Sequence, residues 1–209
     1  MASANYEKPD FWSIKARKEG YPARSVYKLE ELDKKFGIIR PGARVLDIGA
    51  APGSWSLWVL KRLGAQGFLA AVDLQSLGIS PGNENFMFLR GDLYDSAIKS
   101  ALAERGPYDV VLSDAAPSTS GNKGLDTDRS EAIVEAVLDY ADEMLKPGGC
   151  VVAKLFMGGG QRDLLDRMKA SFATARAFKP EACRSVSFET YLIGMGRKQT
   201  PRVSRQTSR

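Results

Sequence analysis

One lysine and four aspartates in this chain stand where ionisable side chains are seldom found without a partner or a task. Lys154 interrupts the apolar run VVAKLFM, and Asp47, Asp73, Asp92 and Asp114 each close or follow a short apolar stretch: VLDIG, FLAAVD, FLRGD and VVLSDAAP. Lysine is rarely fully buried unless it is paired. Lys154 therefore either snorkels to water from a strand end or works with Asp114. A neutral amine there accepts a proton from an alcohol. Bringing a lysine pKa from ~10.4 to about 8 takes roughly 3 kcal/mol of differential interaction, from desolvation and like charge working against any carboxylate nearby. The chain has no histidine, which excludes a Ser-His-Asp triad, a His-assisted cysteine and an HExxH zinc site. Two cysteines, Cys150 and Cys183, are too few for a cysteine-only zinc site and read as reduced thiols of a cytoplasmic protein. No metal is expected.

The acids have a glycine loop beside them. DIGAAPGSW runs from Asp47 to Trp55, and Gly49 and Gly53 permit a positive φ and close backbone approach to a ligand. The spacing is Gly-x-x-x-Gly, not the GxGxxG of a dinucleotide loop. Asp73 follows Gly53 by twenty residues, and a carboxylate at that place accepts both ribose hydroxyls of an adenosine. Asp92 is placed to reach the adenine edge. Taken singly, the glycines read as turn residues and Asp73 as a helix cap. A rim of four carboxylates repels a diphosphate and suits a cofactor with cationic parts, such as the ammonium and sulfonium of S-adenosylmethionine. A nicotinamide-dependent dehydrogenase is disfavoured on the same grounds.

Positioning these groups requires alternating strands and helices. Strands are expected over ARVLDIG, GFLAAVD (67–73), NFMFLRGD (85–92), YDVVLSDAAP (108–117), CVVAKLF, FATARAFKP and SFETYLIGMGRK. Helices are expected over 24–37, 54–63, 95–105, 128–145 and 161–172, with a Pro/Ser/Gly-rich loop running to Asp126. The pattern predicts an α/β fold: a mostly parallel seven-stranded sheet with helices on both faces and a C-terminal antiparallel hairpin. Ligands then bind beyond the carboxyl ends of the strands, where Asp47, Gly49, Asp73, Asp92, Asp114 and Lys154 converge.

The 209 residues suit one domain. We divide them into a basic N-terminal segment (1–23), one catalytic domain (24–198) and a basic, disordered tail (199–209). The net charge is +5, and five basic residues lie from Arg197 to Arg209 with no acid among them, so the rest is neutral. Lys15, Arg17, Lys18, Arg24 and Lys28 cluster near the N-terminus with Tyr21 and Tyr27 between them. Such a cluster suits a polyanion or is simply a solvated face. Tyr27 falls inside a predicted helix and is read as packing. No run of eighteen apolar residues suggests a membrane span, and the first twenty residues have no signal-type apolar region.

Five stretches together resemble the FtsJ/RrmJ family of S-adenosylmethionine-dependent RNA ribose 2′-O-methyltransferases, on its bacterial large-subunit ribosomal RNA branch. They are SVYKL from Ser25, LDIGAAPGSWS from Leu46, SDAAP from Ser113 with Ser120-Gly121 after it, VVAKLF from Val151 and SFETY from Ser187. The resemblance runs from about Ser13 to Lys198 and departs at Ser54, where the family commonly has glycine. It implies a Rossmann-like methyltransferase fold. It also implies a catalytic tetrad of Lys28, Asp114, Lys154 and Glu189, with Lys154 the general base and Lys28 and Glu189 orienting the nucleotide. The implied cofactor site is Gly53, Trp55, Asp73, Asp92 and Asp114. The expected substrate is a uridine of 23S-type ribosomal RNA at a late assembly stage, methylated by a monomer in the cytoplasm. A transfer RNA methyltransferase of the same family and a non-catalytic ribosome-assembly factor are the alternatives.

Overall fold

A computed structural model describes residues 10–82, 84–184 and 187–199. The basic tail expected over 199–209 lies, apart from Gln199, outside the described residues. Seven strands form one sheet in the order β3-β2-β1-β4-β5-β7-β6. They are β1 (Arg44–Ile48), β2 (Phe68–Asp73), β3 (Phe86–Arg90), β4 (Tyr108–Ser113), β5 (Leu145–Phe156), β6 (Phe172–Phe178) and β7 (Glu189–Arg197). β1 to β5 run parallel. β7 is antiparallel to both β5 and β6 and lies between them. The expected C-terminal antiparallel pair is present, with its later strand on the inside. Burial explains the order, because β7 is buried from Glu189 to Gly194 whereas β6 exposes Ala173, Thr174, Arg176 and Ala177, as an edge strand does.

The helices are α1 (Phe11–Lys18), α2 (Val26–Phe36), α3 (Ser54–Leu63), α4 (Ser96–Ala103), α5 (Lys123–Met144) and α6 (Gln161–Ser171). Leu29 and Leu32 of α2, and Trp58, Val59 and Leu63 of α3, pack on Val45, Val110, Val152 and Ile193 on one face. Leu102, Val134, Val137 and Met168 of α4, α5 and α6 pack on Leu46, Val111, Val151 and Leu192 on the other. Alternate residues of each strand thus serve opposite layers. No described helix is long and apolar enough to cross a membrane.

Several elements differ from the sequence expectation, among them β5, which begins at Leu145 and not at Cys150. α5 begins at Lys123, not 128, because Asn122 caps it by accepting from the N–H groups of Gly124 and Leu125. Asp126, expected at the end of a loop, is buried in the first turn and accepts from the Ser120 N–H and hydroxyl at 2.8 Å each. α1 has no counterpart among the expected helices. Asp10 caps it through the Ser13 N–H and also pairs with Arg24, and Ala16 is buried against the sheet layer.

Candidate active site

The carboxyl ends of β1, β2 and β4 enclose a cleft of about 410 Å³. Its walls include Ile48, Gly49, Val72, Asp73, Leu74, Leu93, Asp114, Ala115 and Ile133. The described lining carries two carboxylates and neither lysine nor arginine. Gly49 has φ +78°, and a Cβ there would stand 2.5 Å from the Ala115 Cβ and 2.6 Å from its Cα, so the bare glycine lets the β4 loop close against the β1 loop. Asp73 ends β2, and its two oxygens accept from the Ala51 N–H (2.9 Å) and the Gln75 N–H (2.8 Å). Those bonds fix the carboxylate and leave each oxygen further lone pairs. A larger cleft, about 520 Å³, opens at the opposite pole of the sheet around Arg40, Asp109 and Lys146; it shares no residue with the groups above.

Beside the acidic cleft lies an ionic cluster built from four elements. Lys154 on β5 stands 3.1 Å from one Asp114 carboxylate oxygen and donates to the Asp114 backbone carbonyl at 2.5 Å. Tyr191, opposite Lys154 in the β5–β7 register, donates its hydroxyl to the same carboxylate oxygen at 2.7 Å. Lys28 on α2 pairs with Glu189 at 2.6 Å, and its ammonium lies 6.0 Å from the Tyr191 ring centroid. Lys154, Phe156, Glu189 and Tyr191 share one face of the sheet by strand alternation. All four charged side chains are at most 15% exposed.

The electrostatics follow from that crowding. Burial pushes Asp114 up, but Lys154, Lys28 and the Tyr191 hydroxyl together hold its carboxyl below the usual range. Burial pushes Lys28 down, but Asp114 and Glu189 outweigh it and hold the ammonium above its ordinary value. Tyr191 is held well above 10 by burial and by Asp114 and Glu189. The arrangement offers a fixed anion, Asp114, flanked by two amines, one of them firmly cationic.

Other sequence-singled residues lie elsewhere. Asp47 is wholly buried behind the loop, where Ser56 donates to one oxygen at 2.6 Å and the other has no partner. Burial pushes its carboxyl up to about 7 against the Ser56 bond, with Asp114 and Asp73 adding to the rise. Asp92 accepts from the Tyr94 N–H at 3.0 Å, while its neighbours Gly91 and Leu93 reach the cleft. Gly53, with φ +108°, turns the chain into α3 and packs on Ile79. Trp55 is not on the cleft wall. It is 2% exposed, donates its indole N–H to the Ser25 carbonyl at 2.8 Å and stacks on Tyr191 at 5.8 Å. Ser54, the departure from the family glycine, accepts from the Ala23 N–H at 2.7 Å. Its side chain is thus occupied at the entrance to α2.

The N-terminal basic cluster is largely engaged. Arg24 pairs with Asp10, Lys28 with Glu189, and Lys15 with Glu19 while lying over Tyr27. Arg17 and Lys18 are exposed beside Phe11 and Ile14. Tyr27 packs as expected, 3% exposed, and Lys61 covers the Tyr21 ring. Tyr191 was not singled out from sequence. Its signal was available, because it is two residues after Glu189 in a strand and so must share that face.

The chain matches the model of the FtsJ-like methyltransferase family over residues 21–197. It is 55% identical over 195 residues, 93% of its length and 98% of the relative's, to a ribosomal RNA large subunit methyltransferase E of Treponema denticola. It is 44% identical over 200 residues to the protein of that name from Oleidesulfovibrio alaskensis, covering 94% of this chain and 96% of the other. The crystal structure of a ribosomal RNA methyltransferase from Plasmodium falciparum superposes with a TM-score of 0.76 at 26% identity, over 86% of this chain and all of that one. Human methyltransferase-like protein 13 with bound SAH shares the fold at a TM-score of 0.54 and 20% identity, over 78% of this chain and 74% of the other.

Proposed function

The chain belongs to the FtsJ-like methyltransferase family, and on that premise we propose that it methylates large-subunit ribosomal RNA at a ribose 2′-hydroxyl, using S-adenosylmethionine and Lys154 as the base. The supporting observation is the contact of Lys154 with Asp114, which is also a wall of the acidic cleft. Two carboxylates and no cation on that wall fit a ligand with ammonium and sulfonium groups. Asp73 holds the ribose of the cofactor, Leu74, Leu93 and Ile133 offer apolar surface to its ring, and Asp114 faces its cationic end.

When bound, the cofactor supplies a methyl group activated by positively charged sulfur. The rest falls to the chain's own residues. A neutral Lys154 donates its two N–H bonds to the Asp114 carbonyl and carboxylate oxygens, and its lone pair is left to take the 2′-hydroxyl proton. Asp114 is a poor base, because its carboxyl is held low and its oxygen is already engaged by Lys154 and Tyr191. Lys28, held cationic by Asp114 and Glu189, orients the nucleotide. Much of the acceleration is positioning of two reactants, and proton removal adds about 10²–10⁴-fold.

We assign Arg17 and Lys18 of α1 to RNA phosphates, residues 24–198 to the methyltransferase unit, and the action to a cytoplasmic monomer on late large-subunit particles. The deciding experiment gives labelled methyl donor with assembled large subunits, naked 23S-type RNA and transfer RNA in separate reactions, then maps the label. Lys154→Ala should lower the single-turnover rate by about 10²–10⁴-fold and leave cofactor affinity nearly unchanged. A near-wild-type rate removes Lys154 as the base, and label on transfer RNA alone removes the ribosomal substrate.

A further inference from the structure

The rim between Lys154 and the start of β7 carries an aromatic side chain that neither the cleft nor the ionic cluster uses. The β5–β7 ladder pairs Lys154 with Tyr191 and Phe156 with Glu189. It continues one step further, where the Met157 N–H donates to the Phe188 carbonyl at 2.8 Å. Phe188 is thereby fixed next to Glu189, three residues from the partner of Lys154. Phe188 stands ahead of β7, outside its regular alternation, and its ring meets that of Phe156, a residue on the Lys154 face; three residues span about 10 Å. The Phe188 ring is half-buried, leaning on Phe156 with centroids 4.8 Å apart and planes at 58°. The Lys123 ammonium, on the exposed first turn of α5, lies 5.4 Å from its centroid. Phe156 is a core residue, 9% exposed, whereas Met157 beside Phe188 is 38% exposed. An ammonium resting over a ring is held by its electron-rich face, and here that ammonium belongs to an exposed side chain that can leave it.

We propose that Phe188 is the platform on which the base of the target nucleotide stacks, with Lys123 holding an adjacent phosphate. The proposal rests on the RNA ribose reading above and adds the seat of the base to it. The Lys154 side chain is only 10% exposed, so a 2′-hydroxyl that reaches it belongs to a nucleotide drawn out of its stack. A base removed from its stack regains π-contact on an aromatic side chain, which is how proteins hold unpaired RNA bases. Every base has a π-face, so Phe188 selects an unstacked nucleotide over a paired one without choosing its identity. The four-carbon stem of Lys123 carries its charge from the ring to the phosphate when the base arrives.

Phe188→Leu keeps an apolar side chain against Phe156 and removes the ring face. Phe188→Trp keeps and enlarges that face. The probe is undermethylated large ribosomal subunits, with methyl transfer followed at varied subunit concentration and cofactor affinity measured separately by calorimetry. Phe188→Leu should raise KM for the subunit about 5- to 100-fold, the range of one base-stacking contact, with kcat and cofactor affinity retained. Phe188→Trp should restore KM. Lys123→Gln should reduce the slope of log affinity against log salt by about one. An unchanged KM in Phe188→Leu, or equal damage in Phe188→Trp, overturns the platform, as does a joint loss of kcat and cofactor affinity. An unchanged salt slope overturns the phosphate contact. Wild-type protein that methylates no RNA overturns the RNA reading and the platform together, whereas active wild type with an indifferent Phe188→Leu overturns the platform alone.

Discussion

Replacing Asp47 by asparagine should change how stability depends on pH, and the size of the change follows from the burial of one carboxyl group. Asp47 is fully buried, with a single hydrogen bond from Ser56 and one oxygen without a partner. Burial raises its pKa to about 7 in the folded protein, against ~3.9 in an unfolded chain. Between those values the folded state keeps a proton that the unfolded state releases. Stability is therefore full below about pH 4 and declines as pH rises towards 7, where the decline ends. Three pKa units correspond to ~4 kcal/mol, or about 1.4 kcal/mol per pH unit inside the window. Asparagine has nearly the same shape and does not titrate. Asp114, whose carboxyl is held low, contributes the opposite trend below about pH 4, but in both proteins equally, so the difference between them isolates Asp47. Urea unfolding at about pH 5, 6, 7 and 8 reads that difference directly. The variant should gain on the wild type by ~1 kcal/mol or more per pH unit up to about pH 7 and no further. Parallel stability curves across the window would refute the claim that burial keeps this group protonated.

Three other outcomes follow from the same geometry. Asp73→Ala removes the acceptor of the Ala51 and Gln75 N–H groups, which on the proposed reading also holds the cofactor ribose; calorimetry should show S-adenosylmethionine binding weakened about 10- to 100-fold, at 1.5–3 kcal/mol for a charged hydrogen bond. Tyr191→Phe removes a 2.7 Å bond to a buried carboxylate and should cost about 1.5–3 kcal/mol in urea unfolding and lower kcat, since one of the contacts that fix Asp114 is gone. Arg17→Gln with Lys18→Gln should flatten the salt dependence of RNA binding by about two in the log–log slope, and an unchanged slope would take α1 out of the RNA interface.

The parallel core was legible because its strands are short apolar runs that end in acids, and periodicity separates them from the helices between. The placement of β7 inside β6 was not, since two adjacent apolar strands look alike in sequence and only burial on both faces of 189–194 decides which is central. α1 escaped because its sequence, FWSIKARK, presents more charge than apolar stripe and its one buried residue is Ala16. Asp73 and Asp114 were readable as rim carboxylates because strand ends fix where they emerge. Trp55 and Asp47 were not readable as interior groups. Each lies one or two residues from the cleft loop, and it is the helical turn of α3 and the strand alternation of β1 that point them behind it, towards Ser25 and Ser56.

What joins the two halves of the site is the shared use of Asp114. Its carboxylate is both a wall of the cleft and the partner of Lys154, and Tyr191 fixes it in that double role. Tyr191 is itself set by Trp55, whose indole N–H ties α3 to the residue before α2, the helix that carries Lys28. The cleft loop, the helix bearing Lys28 and the strand bearing Lys154 are thus braced against one aromatic pair. On the proposed reading, the wall of the cofactor cleft and the amine that takes the hydroxyl proton are held in one geometry because both are referred to the same carboxylate.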